Sequence, residues 1–407
     1  MESNISQQAR GGQSVDGAEQ LCVRLYADVV FGYSRGVLRG IADYAKIHGG
    51  WNFNFSSIIE PGFTDGFAAE EVAGVIIQIR RREQADELIR SGVPAVTVAN
   101  VLSPPADLPS VFPDDIAVGR MAATYFWDRG FRHFAYFSNA SPRFGQQRQQ
   151  GFVTALAELK GSCAIFPEAE DSQSIESLRE ARRKFLAEQP RPLAIFCAND
   201  ACAKEAVQDA IHLGFQVPDE VAVLGVDNDE INCELSGVQL SSIRLDTEGI
   251  GYEAAALLAR LIAGEPAPRE PVLVPPLEVI TRRSSDVLSL GDSEVAAAVR
   301  FIRDTGGREI NVEDLLARTS LSRRSLEMRF RKALGRSPYQ EIRRVQIERA
   351  KLLLSRTDRP VREIADACGF KEARQLSAAF HERIGLTPRQ YRRRATREPQ
   401  STDAQPA

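Results

Sequence analysis

TDRPVREIADACGFKEARQLSAAFHERIGLTPRQYRRR, residues 357–394, is the stretch that decides the fold. Val361, Ile364, Ala365 and Cys368 recur at i, i+3, i+4 and i+7, the apolar stripe of a short helix. Asp358 is the expected cap, Pro360 suits a first turn, and Gly369 supplies the turn that ends the helix. A second helix follows, with Ala373, Leu376, Phe380 and Ile384 on one face. At 100° per residue Lys371, Arg374, Ala378 and His381 point the other way. Two short helices, a tight turn and an outward basic face describe a helix-turn-helix for the major groove. On this stretch alone, an ordinary helical hairpin with a solvated face fits as well.

The region upstream repeats the pattern. Val312, Leu315, Leu316 and Thr319 form the same stripe, and Leu326 and Phe330 match Leu376 and Phe380. Gly335 matches Gly385, and Ser337-Pro338 matches Thr387-Pro388. The chain therefore carries an internal repeat of about fifty residues, each copy one helix-turn-helix. Asn311 and Ser322 are the expected caps in the first copy. Between the copies Glu341 to Ser355 has no Gly or Pro and is predicted to be one rigid helix. Such a strut would hold two readers on successive major-groove faces, roughly one helical turn apart. The outward faces nominate Arg323, Arg324, Glu327, Met328 and Arg331 in the first copy. In the second they nominate Lys371, Arg374, Ser377 and Ala378.

SRRSLEMRF, RVQIERAKLLL, and REIADACGF followed by F-x-x-x-x-G-x-T-P-x-x-Y-R carry a resemblance to the AraC/XylS family of transcription regulators. It covers about a hundred residues, and implies operator DNA as a partner, with RNA polymerase a further partner of an activator.

Charge agrees with this division. The whole chain of 407 residues carries −4, yet residues 293–397 hold 25 basic and 13 acidic side chains, which leaves −16 for the remainder. A basic module on an acidic body suits a DNA reader attached to a sensor that stays off DNA. Length predicts two or three domains, and the 43% hydrophobic and 26% charged fractions are those of a soluble globular protein. Residues 1–18 are polar and have no apolar core of a signal peptide, so a disordered tail is expected there and again over 397–407. The six Cys form no C-x-x-C pair and the four His share no ligand spacing. Reduced thiols in a cytoplasmic protein, with no metal and no cofactor, are the expectation.

From Leu21 to about Ile280 short apolar runs alternate with helical patterns. Strands are predicted at Leu21–Val30, Val72–Ile79, Ala95–Ala99, His133–Phe137, Ala194–Ala198, Val221–Val226 and Val272–Val274. Helices are predicted over Gly36–His48, Ile116–Arg129, Arg148–Leu159, Ala203–Leu213 and Thr247–Ala263. This is the rhythm of a doubly wound α/β sheet, long enough for two lobes with a cleft at the strand ends. The predicted order is an α/β two-lobed domain over 19–284, a linker over 285–292, and an all-α domain with two helix-turn-helix units over 293–396.

Gly32-Tyr33-Ser34-Arg35-Gly36 fits the G-x-S-x-G nucleophile elbow of hydrolases. Context argues against an enzyme: Ser34 follows the first strand, with no oxyanion loop before it, and none of His48, His133 or His212 stands in a convincing strand-end loop. A loop that positions a ligand or starts a helix is the better reading. Two other strands run into Asn199-Asp200 and Asp227-Asn228, and Arg148 opens the helix that contains Gly151-Phe152. Carboxylates, amides and an Arg at strand ends can grip vicinal hydroxyls; capping of the next helix is the competing role.

R-Q-Q-G-F, FCANDACAKEAV, GFQVPDEVAVLGVDN, LSSI and VPPLEVITRRSS together resemble the LacI-type, periplasmic-binding-protein-like sensor domain. That resemblance implies a small-molecule sugar effector, a homodimer, and sugar contacts from Arg148, Asn199 and Asp227, with Asp28, Tyr33 and Ser34 in the first loop. Leu245 replaces the family's usual Gln, and Ala99-Asn100 stands where a binding Asp is common. A sugar-binding component of a transporter is the rival class, against which the basic repeat speaks.

Overall fold

The computed structural model describes residues 20–395, apart from positions 58, 66, 104, 106–107, 139–141, 168–174, 288–291 and 309. The expected tails and half of the expected linker lie outside the described residues. The chain divides into two compact units, Met1–Ala123 with Phe134–Asp286, and Thr124–His133 with Val287–Ala407.

The first unit has two lobes. In the first lobe β1 (Leu21–Tyr26), β2 (Trp51–Ser56), β3 (Val72–Ile77) and β4 (Ala95–Thr97) form a parallel sheet in the order β2-β1-β3-β4. Strands such as VAGVII are apolar throughout because helices cover both faces. One face packs α1 (Gly32–His48) and α8 (Thr247–Ile262); the other packs α2 (Arg82–Ser91). β5 (Val111–Pro113) pairs with β11 (Val272–Val274).

The second lobe is a six-stranded sheet in the order β12-β10-β9-β8-β6-β7. Its strands are β6 (His133–Phe137), β7 (Ala164–Ile165), β8 (Leu193–Cys197), β9 (Val221–Val226), β10 (Ser241–Arg244) and β12 (Glu278–Ile280), the last antiparallel to β10. Its helices are α4 (Arg143–Glu158), α5 (Ile175–Glu188), α6 (Asp200–His212) and α7 (Glu230–Glu234). α3 (Asp115–Trp127) begins in the first unit and ends in the second.

The second unit is helical. α9 (Ser293–Asp304), α10 (Val312–Leu316) and α11 (Arg323–Leu334) share one core with Ile342 of α12 (Pro338–Arg356). Ile347, Ala350 and Leu354 of α12 enter a second core with α13 (Val361–Ala367), α14 (Ala373–Ile384) and α15 (Pro388–Ala395). One uninterrupted helix thus serves both halves. The repeat reaches the caps: Gly335 (φ 71°) and Gly385 (φ 73°) end α11 and α14 in the left-handed conformation. Ser337 and Thr387 each exchange hydrogen bonds with the Gln three residues on.

Several sequence boundaries move. α4 starts at Arg143, five residues before Arg148, because its first turns (RFGQQ) are polar and carry no apolar period. α1 starts at Gly32, so the G-x-S-x-G run lies in a helical turn and not in an elbow before it. Pro360, not Asp358, is the N-cap of α13. β1 stops at Tyr26, and Val30 and Phe31 lie exposed in the following loop. The edge strand β2 was not expected, since its WNFNF run is mostly exposed and shows no buried stripe.

Candidate functional site

Two helices build the centre of the cleft. Gly119 of α3 and Gly151 of α4 lie against each other's backbone: a Cβ at Gly119 would stand 2.1 Å from the Arg148 carbonyl oxygen, and one at Gly151 2.2 Å from that of Ile116. Only glycine allows this approach. It brings Asp115, at the start of α3, within reach of Arg148 in the second turn of α4. Arg148 Nε donates to Asp115 Oδ1 at 2.8 Å, and Nη1 donates to the Ala198 carbonyl oxygen at 2.5 Å. Asp227 Oδ1 lies 3.8 Å from Nη1.

Asp227 follows β9 with φ 103°, a region that few side chains tolerate, and its side chain is 25% exposed. Burial pushes its carboxyl up to about 6; Arg148 opposes the rise, and Asp115 and Asp229 add to it. Burial also raises Asp115, against the pull of Arg148 and of Asn100. Asn100 Nδ2 donates to Asp115 Oδ2 at 2.6 Å and to Gln147 Oε1 at 2.7 Å, while its Oδ1 accepts from Arg143. Tyr33 donates to the Val98 carbonyl oxygen at 2.7 Å. Its hydroxyl is raised by burial and by the nearby charges of Asp115 and Asp227. The Phe144 ring lies under Arg148, 4.9 Å from the guanidinium. The cluster offers acceptors, a fixed guanidinium and a flat ring, the chemistry that holds a polyol.

The structure brings together Tyr33, Arg148 and Asp227 of the sequence candidates and distributes the rest. Asn199 caps α6, its Oδ1 accepting from the Cys202 amide. Asp200 is buried; its Oδ1 accepts from the Ser242 hydroxyl and its Oδ2 from the Asp229 amide. Asn228 accepts from Arg282 at 2.8 Å. These last two hold the loop that carries Asp227. Ser34 is buried and donates to Gln78 Oε1 at 3.0 Å, and the same oxygen accepts from the Asp28 amide. Asp28 Oδ2 pairs with Arg80 at 3.2 Å. Sequence reasoning missed Asp115 because an Asp at a strand-to-helix turn reads as a cap. Asn100 was noticed only as a departure from the family pattern.

In the second unit α11 and α14 are the second helices of the two helix-turn-helix motifs. Arg323, Arg324, Met328 and Arg331 are exposed on α11, with Glu327 half-buried beside them. Met328 is 63% exposed, and Arg323 pairs with Glu313 at 2.7 Å. Lys371, Arg374 and Ala378 are exposed at α14, and Arg374 pairs with Glu372. Ser377 is half-buried and donates to the Ala373 carbonyl oxygen at 2.9 Å.

Residues 123–285 match the periplasmic binding protein-like domain, and residues 315–394 match the helix-turn-helix domain. The chain is 29% identical over 372 residues to the xylose operon regulatory protein of Escherichia coli K12, covering 88% of this chain and 94% of that one. It is 31% identical over 240 residues to the HTH-type transcriptional regulator GntR of Pseudomonas aeruginosa, covering 58% of this chain and 68% of that one. The solved structure of the xylose-binding transcription activator XylR superposes with a TM-score of 0.59 at 27% identity, over 92% of this chain and 98% of that one. Fold, site and relatives define a DNA-binding transcription regulator and not an enzyme. Within that class the chain is similar along most of its length to the xylose operon regulators, with a periplasmic-binding-protein-like domain ahead of a helix-turn-helix domain. No helix among the described residues is long and apolar enough to cross a membrane.

Proposed function

We propose that this protein is a cytoplasmic, sugar-responsive regulator of a pentose operon, with xylose or a close relative as effector. The Arg148–Asp115–Asp227 cluster at the strand ends carries the reading. Two carboxylates accept from sugar hydroxyls, while Arg148 and the Asn199 amide donate and Phe144 offers a ring face. Asp28 and Ser34, held by Gln78, would order the first loop over the ligand. Sugar closes the lobes, and closure changes how the readers of a homodimer are presented to operator DNA, where RNA polymerase is recruited if the protein activates. The domain limits follow the sequence reading: sensor over 19–284 and reader over 293–396.

A thermal-shift screen against pentoses and hexoses tests the effector. A cognate sugar at 100 times its dissociation constant stabilises the folded state by roughly 2.7 kcal/mol. A panel in which D-xylose and other pentoses shift nothing while another ligand class does would refute the pentose assignment.

A further inference from the structure

α3 has two ends with different chemistry. Its first residue, Asp115, takes part in the cleft cluster; Asp128, directly after its last residue, lies in a second charged cluster inside the helical unit. Thirteen residues at 1.5 Å each separate the two by about 20 Å along one helix axis. No Gly or Pro interrupts the helix after Gly119.

The far cluster is interlocked, with Glu341 buried and Asp128, Arg336 and Arg344 half-buried around it. Asp128 Oδ1 accepts from Arg336 Nη1 at 2.8 Å, and Oδ2 forms an ion pair with Arg344 Nη1 at 3.2 Å. The Asp128 carbonyl oxygen accepts from Arg303 Nη2 at 3.1 Å. Arg336 and Arg344 then both grip Glu341, at 2.6 and 2.7 Å, and the Glu341 side chain has no exposure. Burial alone would raise the Glu341 carboxyl; the hydrogen bond and charge of Arg344, then the charges of Arg336 and Arg303, hold it at about 2. Burial, with Arg129 and Arg344 beside it, lowers Arg303 to about 9. Glu341 and Arg344 sit in the first turns of α12, the helix that carries both helix-turn-helix halves, and Arg336 lies in the turn between α11 and α12. Removing one partner from such a network leaves an unpaired buried charge, so the geometry is held tightly.

We propose that Asp128 is the positioning residue that couples the sensor to the reader: α3 transmits changes at Asp115 to the start of α12 through the Asp128–Arg336–Arg344 cluster. The inference rests on the regulator reading but not on which sugar is bound. A shift of α3 in the cleft displaces the Asp128 carboxylate, which with Glu341 bridges both arginines, and α12 carries that displacement to both readers. Arg336 is matched to this task, because its rigid planar fork serves Asp128 and Glu341 from separate nitrogens in a fixed geometry, which a single ammonium on a flexible stem does not hold.

The test uses the full chain and amide hydrogen exchange over residues 338–356, with Asp115→Asn as the perturbation at the sensor end. In the wild type, Asp115→Asn is expected to change protection in α12 by about fivefold or more, the lower range of allosteric coupling. On the Asp128→Asn background the same substitution should change it less than about twofold. Arg336→Lys, which keeps the charge and loses the fork, serves if Asp128→Asn does not fold, and should uncouple in the same way. A purely structural Asp128 would lower protection overall and leave the response to Asp115→Asn intact; that result overturns the proposal. So does an α12 that ignores Asp115→Asn in the wild type. D-xylose is run in parallel: if it leaves wild-type α12 unchanged while Asp115→Asn moves it, the sugar assignment fails and the coupling stands.

Discussion

Replacing Asp227 with Asn should make the protein more stable and a poorer sensor. The carboxyl is displaced from its ordinary 3.8 to about 6, chiefly by burial. A folded-state value above the unfolded one means that the folded protein holds the proton more tightly. The associated stability is therefore full below about 3.8 and is lost as pH rises through about 6. At pH 7.5 the ionised Asp227 thus destabilises the fold, by about 3 kcal/mol if the whole displacement counted. A quarter of the side chain is open to water, which trims the figure to roughly 1–3 kcal/mol. Asn is neutral, nearly isosteric and equally tolerant of positive φ, so the backbone contribution cancels. For a unit of this size each kcal/mol raises the melting temperature by roughly 2–4 °C. Melting curves of wild type and Asp227→Asn at pH 4.5, 6 and 7.5 should show an advantage for the variant that is largest at 7.5 and shrinks toward 4.5. Calorimetric titration with the cognate sugar should show affinity reduced tenfold to about a hundredfold, since a hydrogen bond to a charged group contributes roughly 1.5–3 kcal/mol. A variant that melts below wild type at pH 7.5 with unchanged sugar affinity would make Asp227 a turn cap and refute the reasoning.

Gly151→Ala forces α3 and α4 apart, because the new Cβ would meet the Ile116 carbonyl at 2.2 Å. Chemical denaturation should show a loss of roughly 1–3 kcal/mol, with weaker sugar binding as Arg148 leaves Asp115. Glu341→Gln strips the buried partner from Arg336 and Arg344 and should destabilise the helical unit by roughly 3–5 kcal/mol in urea melts at pH 7. Because the Glu341 carboxyl is depressed from 4.5 to about 2, its contribution is full above 4.5 and is lost as pH falls through about 2, so the two proteins should converge in strong acid. Arg324→Ala and Arg374→Ala should each relax preference at one base position by roughly 1–3 kcal/mol in binding-site selection; equal weakening on all sequences would make them phosphate contacts. Residues 293–397 as a fragment should bind duplex DNA with affinity that falls steeply with salt, as released counterions require; a flat salt response in gel shifts would contradict that.

The double helix-turn-helix was legible in the sequence because everything that defines it is local. Apolar residues three and four apart mark the buried faces, Asn311 and Ser322 announce the helix starts, and the absence of Gly and Pro from Glu341 to Ser355 marks the strut. The alternating α/β pattern and its strand-end polar residues were legible for the same reason. The cleft itself was not. Arg148 and Asp115 are 33 residues apart, and what unites them is the paired close approach of Gly119 and Gly151, which leaves no periodic trace. Asp128 and Arg336 are 208 apart. In the sequence Asn199 and Asp227 look alike, each a polar residue at the end of an apolar strand. Folding separated their roles, turning the Asn199 oxygen onto an amide of its own helix and holding Asp227 at positive φ beside Arg148. Local periodicity fixes which residues must be buried, whereas a buried charge takes its role from the partner that desolvation forces on it, and only the tertiary structure chooses that partner.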